Sequence, residues 1–488
     1  METRSTLIAA ITTLATTFVA VALLDVGSPT LDALGPTPWV SDASTGSALG
    51  SGTAEPVPSI HDLVQPLQRI AFGSCNDQSM EQPLWKNIAA HTPELWLWMG
   101  DNIYGDIREA HEPMPTPPAK TFIEATGDVL RERYAKLQAH PDYRAFVQTT
   151  PVIGIWDDHD FGINDAHKGY TYREESQQIF LDFMNEPADS PRRQQEGIYT
   201  SYTVGEGEQT VKFILVDNRY NRDTYETEGG NLLGAAQWAW LENELRTTTA
   251  AFNVIVSGIQ ILANDRFNMA EGWSRFPDQR ERLLELLLAS KAKGVILLSG
   301  DVHFSEINQV VCPGGDNVIT EITSSGMTHS WMQFHRPEIR FFPALLFTFA
   351  NLILPWEFRP THDALYGYIN WGQIEFDWTR KPYPVATVQV RGRDDAVKLQ
   401  YEFASKPVHS DSPAEDAAAC RPTREMAVWE RVLRQLVFAG VTGLSVLSLL
   451  VNVVVALWLG WFVASTLVAL VVRFVKKQLA GGKRVKVE

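Results

Sequence analysis

The chain has 488 residues, 58 acidic against 42 basic side chains, a formal net charge of −16 and 45% hydrophobic residues. That charge argues against a nucleic-acid partner, which would favour a basic face, and three cysteines are too few for a disulfide scaffold. The length exceeds one average domain but suits a single large α/β enzyme domain with membrane and linker segments.

Residues 1–26 carry one arginine, Arg4, and then an uncharged run from Leu7 to Leu24. A signal peptide or a signal anchor is expected there, with Ala20-Val21-Ala22 as a small-x-small cleavage candidate. Residues 27–66, rich in Pro, Gly, Ser and Thr, read as a linker. From 67 to 405, short apolar runs alternate with segments of helical period, the pattern of an α/β layer fold. The strand-like runs are RIAFGSC, ELWLWMGD, PVIGIWDD, VKFILVDN, NVIVSGIQIL and GVILLSGDVH. Their near-continuous apolarity predicts burial on both faces. Gln237–Leu245 and Pro277–Ala292 have helical spacing and predict helices packed on that sheet.

Within this region FFPALLFTFANLILPW, Phe341 to Trp356, is too short to span a bilayer. It suits either a helix buried in the core or an interfacial wedge that seats the domain on a membrane. Residues 406–428 read as a second polar linker. One disulfide is compatible with an oxidising compartment, Cys312 with Cys420 being the favoured pair. The expected transmembrane region, 429–475, holds 36 uncharged residues from Val437 to Val472. A continuous helix of that length would measure about 54 Å against a hydrocarbon core of about 30 Å, so one tilted or partly interfacial pass is expected. The basic tail, 476–488, belongs in the cytosol by the positive-inside rule, which leaves the catalytic region lumenal or extracellular.

Four strand ends carry chemistry. FGSC ends in Cys75, and WMGDNIY supplies Asp101, Asn102 and Tyr104. IWDDHDFGIND supplies Asp157, Asp158, His159, Asp160 and Asn164, and LLSGDVHFSE supplies Asp301 and His303. Loops after the carboxyl ends of strands in open α/β sheets gather on one side, so these residues can converge. Singly each is weak, since a Gly-Asp after a strand is usually a turn or cap. Jointly they supply a dinuclear metal site with mixed O, N and S ligands, in which bridged cations cancel the repulsion among the carboxylates. Thiolate and phenolate donors suit a transition metal such as iron; carboxylate and amide oxygens suit a hard ion such as calcium or magnesium. No G-x-S-x-G elbow is present, so metal-assisted hydrolysis outranks a covalent serine route.

The set GSC, GDNIY, WDDHDFGIND and SGDVH, in this order, resembles the alkaline phosphatase D (PhoD-like) family of metallophosphoesterases. WDDHDFGINDA, the later SSGMTHSW and the apolar insertion after it also resemble that family's eukaryotic membrane-associated branch. The resemblance runs from about Arg69 to Phe403. It implies a four-layer α/β/β/α sandwich that hydrolyses phosphate esters with iron and calcium, at a site of two or three metals. Carried over, it implies Cys75, Asp101 and Tyr104 around ferric iron, with Asp157, Asn164, Asp301 and His303 completing the ligands. His159 would face the phosphate or the leaving group, and Asp158 would orient a histidine or a ligand. Asn102, Arg219 and His329 are weaker candidates for substrate contact. Two other readings stay open: a phospholipase-like phosphodiesterase acting on lipid headgroups, and an inactive phosphatase-like membrane receptor or scaffold.

Overall fold

The computed structural model describes residues 57–107, 122–264, 271–313, 317–333 and 357–433, with scattered helical positions at 344, 347–348 and from 435 to 476. The expected N-terminal signal or anchor and most of the linker after it lie outside the described residues. The chain divides into two units, Thr53–Met426 and the two chain ends, Met1–Gly52 with Ala427–Glu488.

In the large unit the chain opens with β1 (Arg69–Gly73), β2 (Trp96–Met99) and β3 (Val152–Ile155). It continues through β4 (Thr200–Glu206), β5 (Gln209–Leu215), β6 (Phe252–Ser257), β7 (Val295–Ser299), β8 (Ser305–Cys312), β9 (Asn317–Ser324) and β10 (Leu365–Tyr366). Then come β11 (Asn370–Asp377), β12 (Val385–Gly392), β13 (Val397–Ala404) and the short β14 (Arg421–Pro422). Two sheets result. One runs β13-β12-β11-β1-β2-β3; the other runs β10-β8-β9-β7-β6-β5-β4, with β14 added on β8. β1, β2 and β3 are parallel, as are β5, β6, β7 and β9. Their carboxyl ends therefore lie on one edge of each sheet, where loops can gather.

The two sheets share a core. In β2, Trp96 and Trp98 point to one face, where Trp85, Tyr143 and Phe146 from the helices Trp85–Ala90 and Pro141–Val147 pack on them. The alternation of a strand then turns Leu97 and Met99 toward the second sheet. Phe213, Leu215, Val254, Val256, Ile296 and Leu298 of that sheet belong to the same apolar cluster. The alternate residues Ile214, Ile255 and Leu297 bury against Trp238, Leu241, Leu283 and Leu287 of the helices Ala235–Thr247 and Pro277–Ser290. Helices thus cover the outer face of each sheet, the α/β/β/α layering expected of the chain. Both helices predicted from periodicity are present, each within two residues of its expected bounds at both ends.

The polar stretch 406–428 is not a free linker. Val408 and Ser410 donate backbone N–H groups to Ala292 and Leu288, Pro413–Ala419 forms a helix, and β14 pairs with β8. A Cys312–Cys420 disulfide fastens it to β8. Its polarity was misleading because these attachments are made by backbone groups and one covalent bond. The expected membrane-spanning segment lies mostly outside the described residues. Among the described residues no helix is long and apolar enough to cross a membrane.

Candidate metal centre

Each strand-end loop leaves its sheet through a sharp turn. Gly100 has φ +97°, and a Cβ there would lie 2.5 Å from the Cβ of Asp157. A Cβ on Gly300 would lie 2.5 Å from Ser74 Oγ, so glycine lets the β7 loop of one sheet meet the β1 loop of the other. Cys75, Asp101, Asp301 and His303 all sit at positive φ, between 47° and 72°. Non-glycine residues rarely hold this conformation, and such strain clusters where side chains must be aimed.

The turns bring the side chains together. Cys75 Sγ lies 3.4 Å from Asp101 Oδ2, and the Tyr104 hydroxyl donates to the same oxygen at 3.3 Å. Tyr104 Oη is also 3.0 Å from His303 Nε2 and 3.2 Å from His329 Nε2. Ligand-type atoms lie within 4.8 Å of one another in four groups: Cys75, Asp101 and His303; Asp101, Asp158 and His159; Asp157, Asp158 and Asp301; and Asp158, Asp165 and Glu271. Asp101 joins the first pair of groups and Asp158 belongs to three.

The DDHD run starts a short helix, Asp158–Phe161, capped reciprocally by Asp157 and Asp160. Asp157 Oδ1 also accepts from Nε of the fully buried Arg219 at 2.6 Å. Arg219 in turn pairs with Glu271 and lies 3.7 Å from Asp158 Oδ1. Arg219 is therefore committed to carboxylates rather than turned to substrate. Asn102 is committed at one end only: its Nδ2 donates to Ile155 O at 3.0 Å and to Asp160 Oδ2 at 2.6 Å, while its buried Oδ1 has no hydrogen-bond partner among the described residues. Asn164 contributes its backbone N–H, donated to Asp106 Oδ2 at 2.8 Å. It also lines a neighbouring cavity of about 470 Å³ with Asp165, Tyr170, Arg222 and Tyr225.

His159 is held by Asp106, which accepts or shares a proton with Nδ1 at 2.7 Å. The ring is flanked by Tyr104 and Phe122, at centroid distances of 4.2 and 5.4 Å. Asp106, Glu271 and Ser325 escaped the sequence reading. Asp106 sits five residues after Asp101 in GDNIYGD, a spacing that carries a signal only once its histidine partner is known. Ser325 lies in SSGMTHSW, a motif that carries the resemblance but in which only His329 stands out as a candidate. Nothing local to Glu271 marks it.

Electrostatics test whether cations fit. Burial pushes the Cys75 thiol up to about 12, with Asp301 and Asp157 adding to the rise. Burial and neighbouring anions also push up Asp101, Tyr104 and Asp301, and Asp157 rises to about 7. Asp158 is the exception: burial opposes its ionisation, but His159, Arg219 and the Asp165 N–H outweigh it and hold the carboxyl low. Asp157 Oδ2 is buried with no hydrogen-bond partner among the described residues. So many mutually disfavoured anions, one with an orphaned oxygen, fit resident cations, which would oppose each of the upward shifts.

Such a donor set, gathered at the loop edge of an α/β fold, is of a kind that could bind metal ions, and similarity to known proteins gives the family. The profile of the PhoD-like phosphatase family matches residues 70–339. Alkaline phosphatase D of Bacillus subtilis (strain 168) is 26% identical over 305 residues, covering 54% of this chain and 52% of the relative. The chain thus spans about half the length of that curated relative. The solved structure of PhoD matches with a TM-score of 0.53 at 19% identity, covering 75% of this chain and 73% of that one, which bears on the fold. This chain belongs to the PhoD-like phosphatase family.

Proposed function

We propose that the chain hydrolyses phosphate esters at a centre of two or three metal ions beside a membrane. The observation that carries this reading is the convergence of Cys75, Asp101, Tyr104, Asp158, Asp301 and His303, drawn from both sheets, on one buried place. Cys75, Tyr104 and His303 would hold a transition ion such as ferric iron. Asp301, Asn164 and one of the paired aspartates would hold a hard ion such as calcium, with Asp101 between the two. Asp157 is the better of that pair, because its buried Oδ2 has no hydrogen-bond partner among the described residues, whereas both Asp158 oxygens accept backbone N–H groups. Bound there, the ions would supply Lewis acidity toward the phosphate oxygens and the attacking water.

The chain's own groups do the rest. His159, ring fixed through Nδ1, delivers a proton to the leaving alkoxide as the P–O bond breaks, while water supplies the hydroxyl that phosphorus gains. His329, held through Nδ1 by Thr328 Oγ1 at 3.0 Å, stands on the substrate side beside Tyr104. Replacing Asp301 by Asn, or Tyr104 by Phe, should lower turnover of an aryl phosphate by more than about a hundredfold and reduce bound metal, with the circular-dichroism spectrum kept. Full turnover at unchanged metal content would sink the assignment.

The same reading puts the domain on the lumenal or extracellular side and the basic tail in the cytosol, as in the family's eukaryotic membrane-associated branch. The uncharged run Val437–Val472 supports it, as do exposed apolar side chains at described helical positions, among them Trp458, Trp461, Phe462 and Leu467. The disulfide supports an oxidising compartment. One contact favours lipid headgroup esters as a second reading. Phe347, from the apolar insertion, lies 5.5 Å from the Phe304 ring and 6.3 Å from that of Trp331. Those neighbours are one residue from His303 and two from His329. Faster turnover of phospholipid in vesicles than of soluble mono- and diesters would support this reading, and the reverse order would end it.

A further inference from the structure

The geometry points to Ser325 as a positioning residue that donates a hydrogen bond to the Cys75 sulfur and so sets that sulfur's strength as a metal ligand. The inference rests on the metal-centre reading above. Ser325 is fully buried at the end of β9, and its Oγ lies 2.9 Å from Cys75 Sγ. Proton bookkeeping fixes the direction. Ser325 Oγ accepts the backbone N–H of His303 at 2.7 Å, which leaves its own hydroxyl proton free to point elsewhere. The neighbouring Ser74 hydroxyl donates to Ser324 O at 3.1 Å, and the Cys75 thiol donates toward Asp101 Oδ2. Sulfur is therefore the acceptor left for the Ser325 proton.

The position is built. The Asn370 side chain donates from Nδ2 to Ser325 O at 2.9 Å and accepts from Ser324 Oγ at 2.9 Å, clamping the loop against β11. One hydroxyl thus ties two candidate ligands of one centre, gripping the backbone of His303 and the side chain of Cys75. When the thiol gives up its proton to bind a metal, the Ser325 hydrogen bond remains and becomes charge-assisted. Such a bond draws electron density from the thiolate and holds its lone pairs in one orientation, the ordinary work of a partner behind a metal ligand.

Cobalt(II) titration of the full chain tests this. Wild type should show a thiolate-to-cobalt charge-transfer band. Ser325→Ala should move that band to lower energy and weaken cobalt binding by about ten- to a hundredfold in competition with a chelator. Ser325→Thr, which keeps the hydroxyl, should restore both. An unmoved band and unchanged affinity in Ser325→Ala overturns the role of Ser325. No charge-transfer band in wild type overturns instead the assignment of Cys75 as a ligand. Should the alanine variant fail to fold, the metal–sulfur stretch of wild type answers by resonance Raman. A shift between H₂O and D₂O supports the hydrogen bond, and identical stretches overturn it.

Discussion

At His159 the local chemistry is set by groups far away in sequence. Asp106 reaches it from 53 positions upstream, is itself fully buried, and takes the Asn164 N–H on its other oxygen. A ring held through Nδ1 has one nitrogen left for substrate. Asp106→Asn should therefore slow hydrolysis of alkyl phosphates, whose leaving groups need a proton, by about a hundredfold or more. It should slow a dinitrophenyl phosphate, whose leaving group needs none, by less than about tenfold. Equal losses across a leaving-group series would reduce Asp106 to a structural role. This scale was the least legible in the sequence. The adjacent Asp157 and Asp158 look alike in a string of letters. They differ only because one faces Arg219 and caps a helix while the other collects His159, Arg219 and the Asp165 N–H. Arg219 shows the same limit: its place in the sequence does not reveal that its guanidinium faces Asp157 and Glu271.

The strands, by contrast, could be read directly. β2 and β7 are apolar at every position or all but the last because both faces are covered, and each is buried throughout. What composition hid was the attachment of 406–428, whose helix Pro413–Ala419 buries only Ala417. Polar surfaces fastened at a few points look like linkers. The fastening has a measurable size. Cys312 and Cys420 are 108 positions apart, and chain entropy alone gives a loop of that length about 4 to 5 kcal/mol. The double replacement by serine should lower unfolding free energy in urea by roughly that amount, about 2 to 5 kcal/mol once native-state relaxation is allowed for. A change below about 0.5 kcal/mol would show that the denatured chain gains nothing from being cut free.

Across the whole molecule, alternating apolar runs and helices predict an α/β layer fold with loops gathered on one edge, while the four-layer order is what the family resemblance implies. The family match ends at residue 339, yet β11 pairs with β1, and β12 and β13 extend the same sheet. The strands that complete the first sheet thus come after the matched region, from a stretch whose place no local pattern announces. The disulfide encloses them. β9, of one sheet, and β11 to β13, of the other, lie inside the ring that Cys312 and Cys420 close. A protease cut anywhere in that ring would leave the two pieces covalently joined. On a denaturing gel without reductant the nicked chain should run as one species, and with reductant as two. Separation without reductant would mean the ring is open. A molecule built this way can be severed in mid-chain and still not come apart.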